Sequence, residues 1–116
     1  MESRNFKAAE LYCPCCKKEG IKSELLDRLQ VLRDMYGKPM IITSAYRCKI
    51  HNQKVGGVQN SQHVRGRAVD ISTAKMSAEE KHKLLKLAST LEFKGIGVYK
   101  GFFHLDIRET ESMWSG

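Results

Sequence analysis

The stretch Ser61-Gln62-His63-Val64-Arg65-Gly66-Arg67-Ala68-Val69-Asp70-Ile71-Ser72 decides how this chain reads. From Arg67 to Ser72 it has the alternation of a strand: Val69 and Ile71 fall on one face, Ala68, Asp70 and Ser72 on the other. Gly66 allows a sharp turn between this strand and His63 in the loop before it. Asp70 therefore faces a cleft rather than the core. A second strand-like run, Phe102 to Ile107, sets His104 and Asp106 on one face and Phe103, Leu105 and Ile107 on the other. An antiparallel hairpin in the middle of a sheet would bring His104 beside Asp70. Two imidazoles and one carboxylate then make a ligand set for zinc with a fourth position open, the feature that separates a catalytic from a structural zinc site. Each residue alone has a plainer reading, as a loop histidine, a capping aspartate and a satisfied core histidine. The three together, behind a long polar loop, favour the ligand set.

Working outward, Leu25, Leu26, Leu29, Leu32 and Met35 recur at helical spacing after a possible N-cap at Ser23, and Gly37 and Pro39 end that helix. Met40 to Thr43 reads as a short buried strand. Residues 44–66 hold Asn52, Gly56, Gly57 and Asn60 with little apolar material, a long polar loop of the kind that carries function. Ser77-Ala78-Glu79-Glu80 is a capping box. It opens a helix to about Leu91 with Leu84, Leu85, Leu87 and Ala88 inward. Gly95–Tyr99 and the run from Phe102 form two strands joined at Lys100-Gly101, a tight hairpin turn. Residues 1–20 form an N-terminal arm in which Phe6, Leu11 and Tyr12 can pin the chain to the body. Residues 109–116 read as a loose tail, with Trp114 able to pack back. The elements sum to an α+β fold, a small, mainly antiparallel sheet packed with helices, in one domain spanning 1–116.

With 116 residues, 41% hydrophobic and 28% charged, the chain has the composition of one globular domain. No apolar run approaches the ~20 residues of a membrane-spanning helix, so no membrane insertion is expected. The polar start, Met1 to Lys7, has no secretory core, so work outside a cytoplasm would need another release route or a trimmed signal. A net charge of +7 favours anionic partners such as nucleic acid, a membrane surface or acidic wall polymers. The basic residues are scattered and no nucleic-acid-binding motif is present, which argues against a nucleic-acid partner. Cys13, Cys15 and Cys16 are crowded and Cys48 stands apart, a poor pattern for a structural zinc site built on C-x-x-C pairs. A disulfide from one of the three to Cys48 and free thiols are the alternatives, and spacing leaves the pairing open. His51 lies in the polar loop, where contact with substrate is the lesser reading, and His82 on a solvated helix face.

The order Ser61-x-His63-x-x-Gly66-x-Ala68-x-Asp70 with a later His104 resembles the zinc D-Ala-D-Ala peptidases of bacterial cell walls and phage endolysins, which share their fold with the hedgehog signalling domain. Upstream, Thr43-Ser44-Ala45-Tyr46-Arg47, Asn52 and Gly56-Gly57 are similar to the family's segment running from a strand to the substrate-binding arginine, so the resemblance covers roughly residues 22–108. It implies His63, Asp70 and His104 as ligands of one zinc ion. It implies Arg47 as the residue that binds substrate and polarises the carbonyl under attack, a task suited to a fixed charge on a planar fork. Ser61, Gln62 and Asn52 would bind substrate.

The implied activity is zinc-dependent hydrolysis of peptidoglycan peptide bonds, as a D-Ala-D-Ala-type carboxypeptidase or endopeptidase, with water activated by the ion attacking the amide. The partners would be bacterial peptidoglycan stem peptides, met at the cell wall by a monomer, in the manner of a phage-encoded endolysin. The chain departs from relatives that place an acid three residues, or a histidine two residues, before the last ligand; Gly101 and Phe102 stand there. The matching branch carries His-x-Asp, which points to Asp106 as general base or as the partner that orients His104. A salt bridge from Asp106 to Arg108 is not expected, since alternate strand residues extend side by side. The alternative to an enzyme is a catalytically inert zinc-binding module of the same fold that binds a wall or protein ligand.

Overall fold

The computed structural model describes residues 2–58 and 61–116. Asn60, in the polar loop, lies outside the described residues. Helix α1 spans Ala8–Leu11, α2 Ser23–Tyr36, α3 Lys49–Lys54 and α4 Ala78–Thr90. The strands are β1 Ile42–Ser44, β2 Ala68–Ser72, β3 Gly95–Tyr99, β4 Phe102–Asp106 and β5 Ser112–Ser115. They form one sheet in the order β1-β2-β4-β3-β5, and the fold class is α+β as the sequence predicts.

The chain's own patterning accounts for most of these elements. Helix α2 buries Leu25, Leu26, Leu29 and Leu32 and ends where Gly37 takes a left-handed φ of 81° and returns its N–H to the Arg33 carbonyl. Lys22 rather than Ser23 occupies the N-cap, so the helix starts one residue earlier than its sequence signal. Helix α4 opens on the expected capping box: the Ser77 hydroxyl accepts from the Glu80 N–H at 3.1 Å, and Glu80 accepts from the Ser77 N–H at 2.9 Å. These helices pack on each other and on the sheet face carrying Val69, Ile71, Phe103 and Leu105. Val69 pairs with Leu105 and Ile71 with Phe103 across β2 and β4, which makes this the apolar face. The opposite face carries the polar residues.

Two expectations are corrected. The polar loop contains α3, a six-residue helix of which only Asn52 is buried, so it has no apolar periodicity to betray it. The tail is not loose: β5 adds to the free edge of β3 as a parallel strand, which makes the sheet mixed. Gly97 lies opposite Trp114, and a Cβ there would fall 2.7 Å from the indole Nε1, so the missing side chain is what lets the tail dock. Trp114 then donates to the Tyr99 hydroxyl at 2.7 Å. The N-terminal arm is a part of the core, with Phe6 and Leu11 only 1% and 2% exposed and the Tyr46 N–H bonded to the Leu11 carbonyl. Among the described residues no helix is long and apolar enough to cross a membrane.

Removing the Phe6 ring should therefore cost as much as a core deletion. Phe6→Ala is expected to lower unfolding free energy by about 3–5 kcal/mol. A urea titration reads this as a large drop in midpoint at unchanged slope, and an unchanged midpoint would show the arm to be ornamental.

Candidate metal centre and its cleft

The centre starts from a register. β2 and β4 are antiparallel with Asp70 directly opposite His104, so strand pairing alone sets the two side chains next to each other on the polar face. His104 Nδ1 lies 3.0 Å from Asp70 Oδ1. His63 arrives from the turn before β2, with its Nε2 3.1 Å from the same oxygen. That turn is held shut by Ser61, whose hydroxyl accepts from the His63 N–H at 3.1 Å. Gly66 follows with a φ of +71°; a Cβ there would sit 1.8 Å from the Gly20 carbonyl oxygen, so only glycine lets the turn lie against that segment.

Each imidazole has a partner on its far nitrogen. His63 Nδ1 donates to the Ala45 carbonyl at 2.7 Å, which fixes the ring's tautomer because a carbonyl can only accept. His104 Nε2 donates to Asp106 Oδ2 at 2.7 Å. Asp106 is fully buried and also accepts from the Arg108 N–H, Nε and Nη2 at 3.1, 2.9 and 2.7 Å. The expectation that Asp106 and Arg108 do not pair is thus corrected: β4 ends at Asp106, so Arg108 is not a strand residue and its fork folds back. Gly95 lies opposite Asp106, and a Cβ there would come within 2.0 Å of Oδ1. The carboxylate occupies the space of that missing side chain.

The charges follow from these contacts. Burial pushes the Asp70 carboxyl up, but the His104 and His63 ring nitrogens, 3.0 and 3.1 Å from Oδ1, outweigh it and hold it at about 2. Burial likewise opposes ionisation of Asp106, and His104 and Arg108 together keep it well below the usual carboxylate range. Burial pulls the His104 imidazole down, while its bonds to Asp106 and Asp70 raise it on balance.

Arg47 completes the polar wall. Its Nε donates to Ser44 Oγ and its Nη1 to Asn52 Oδ1, both at 3.1 Å, and its Nη2 lies 3.5 Å from Asp70 Oδ2. Asn52 is 4% exposed and spends its amide on Arg47 and on the Val58 carbonyl. It does not line the cleft itself and acts on it through Arg47 and Val58. Gly57 leaves room for this pair, since a Cβ there would lie 2.1 Å from Asn52 Oδ1. The resulting cleft, of about 420 Å³, is lined by Arg47, Ser61, Gln62, His63, Asp70 and His104. Its far wall holds residues that the sequence did not single out for the site: Tyr99 stacked on Phe102 at 4.6 Å, and Trp114 beneath the Arg108 guanidinium at 4.7 Å. The aromatic spacing around the hairpin was the available signal. His51 sits on α3 and does not line the cleft, and His82 is exposed on α4.

His63, Asp70 and His104 offer one ligand atom each, all within 4.8 Å of one another, and form a group that could hold a metal ion. Two nitrogen donors and one carboxylate, with partners behind both rings, suit a divalent transition metal. A family model described as Peptidase M15 matches residues 4–106. The chain belongs to the Peptidase M15 family. Membership makes it a metallopeptidase, and the metal-dependent chemistry of that family agrees with the donor set. The match takes in the arm, all four helices and the first four strands, and stops short of β5 and Trp114. No curated protein matches the chain.

Gly95 yields a test that leaves every donor in place. Gly95→Ala should displace Asp106 and free the His104 ring, weakening metal retention about 10–100-fold in a chelator competition titration. Retention equal to the parent protein would show that Asp106 does not orient His104.

Proposed function

We propose that this chain is a zinc-dependent hydrolase of peptidoglycan peptide bonds, cutting beside a D-amino acid in the wall stem or crosslink. The observation that carries the reading is the convergence of His63 Nε2 and His104 Nδ1 on Asp70 Oδ1, at 3.1 and 3.0 Å, in a cleft that also presents the Arg47 fork. The residues fit zinc, and His63, Asp70 and His104 would hold it. Zinc at such a site supplies a Lewis acid that polarises a carbonyl and lowers the pKa of water toward ~7.

The chain's own residues do the rest. Arg47, braced by Ser44 and Asn52, presents a fixed positive fork to the scissile carbonyl or to a terminal carboxylate of the stem peptide. Arg108, across the cleft, adds a second cation for an anionic substrate. Ser61 shapes the turn, and Gln62 lines the cleft beside it. Asp106 is assigned to positioning His104, because its oxygens are occupied and it has no exposed surface from which to take a proton. The net charge of +7 favours approach to an anionic wall.

The same burial of Asp106 favours a second reading. Among the described residues lining the cleft, the one carboxylate is that of Asp70, so a ligand-binding zinc module without hydrolysis is the competitor. Metal analysis paired with turbidity loss of purified peptidoglycan separates the two. His63→Ala is expected to lose this metal and all hydrolysis. Arg47→Lys should retain the metal and lose about 10²–10³-fold in rate. Metal bound without wall hydrolysis in the parent protein would select the binding module.

A further inference from the structure

The cysteines that looked ill-spaced in sequence meet in space. Cys13, Cys15, Cys16 and Cys48 form a second group whose ligand atoms all lie within 4.8 Å of one another. Cys15 Sγ is 3.5 Å from Cys13 Sγ and 3.3 Å from Cys48 Sγ. A tetrahedral zinc with ~2.3 Å bonds to sulfur places its four sulfurs ~3.8 Å apart, so the cluster is already near the size of the shell. The crowding of Cys13-Pro14-Cys15-Cys16 is resolved by a knuckle. The Cys13 N–H bonds to the Lys18 carbonyl at 2.9 Å, and the Lys17 N–H returns to the Cys13 carbonyl at 2.7 Å, with Lys17 in a left-handed φ of 58°. This curl turns three thiols of one short segment toward a common point. Cys48 comes from the segment after β1, distant in sequence, where it caps α3.

We propose that these four cysteines bind a structural zinc ion as thiolates, a site separate from the histidine centre. Backbone amides prepare the sulfurs for negative charge. The Cys48 N–H reaches Cys13 Sγ and the His51 N–H reaches Cys48 Sγ, each at 3.4 Å. Four thiolates around a divalent cation leave two negative charges, and the exposed Lys17, Lys18 and Lys49 stand within two residues of the ligands in the chain to offset them. Soft sulfur ligands in a closed tetrahedral set select zinc and leave no position for substrate. The ion would tie the N-terminal arm to the segment after β1. That segment carries Arg47 immediately before Cys48, so the clamp also fixes the arginine of the cleft.

The test is the zinc and thiol content of the full chain purified under reducing conditions. The parent protein should carry two equivalents of zinc. His63→Ala should retain one, released by a thiol-blocking mercurial and replaced by cobalt with an intense thiolate-to-cobalt absorption band. Cys48→Ser should lose the mercurial-sensitive equivalent and keep the other. Should Cys48→Ser fail to fold, the mercurial titration of His63→Ala still decides, because its thiols are untouched. A His63→Ala protein with no zinc and four freely reactive thiols would overturn the proposal, as would a parent protein with only two reactive thiols and a disulfide. Failure of the histidine centre gives a different result: His63→Ala would then hold as much zinc as the parent protein.

Discussion

The antiparallel pairing of β2 with β4 is the constraint on which the rest of the molecule depends. It sets Val69 against Leu105 and Ile71 against Phe103 on the helix side, and Asp70 against His104 on the other. A slip of one residue would exchange the two faces, driving Asp70 and His104 into the leucines of α2 and α4. Core and site are thus specified by one register. The apolar pairs that stabilise the sheet are the same pairs that hold the polar ones opposite each other.

Around that register, charge is arranged in a chain. Arg47 faces Asp70, Asp70 faces both imidazoles, His104 faces Asp106, and Asp106 is closed off by Arg108. Removing a buried carboxylate from such a chain leaves its cationic partners without compensation, so the members are held in place by one another. Glycines make the room. Gly95 yields its side-chain space to Asp106, Gly97 to Trp114 and Gly57 to Asn52, so that a polar lining fits against a sheet with little volume to spare. Membership of the Peptidase M15 family gives this lining its chemical sense, as the support of a metal-dependent peptide hydrolase.

Much of the architecture was legible from local pattern. The leucine spacing of α2, the Ser77 box of α4 and the Lys100-Gly101 turn each rest on interactions within a few residues, and each is found. The donor trio was legible for a related reason, since strand alternation fixes which residues share a face. What escaped was tertiary. Helix α3 has no apolar stripe, β5 is made by the space above Gly97, and the pairing of Asp106 with Arg108 depends on where β4 stops.

The sequence by itself determined the periodicities, the capping and turn chemistry, and the donor types spaced for a metal, because all of these are written in neighbouring residues. Only the tertiary structure decided which distant groups share a site. It set Asn52 behind Arg47 rather than in the open cleft, and it closed the aromatic wall with the tail. It also brought Cys48 across to the Cys13–Cys16 knuckle. Such meetings depend on how helices and strands pack in three dimensions, a property of the assembled core that no local window of residues contains.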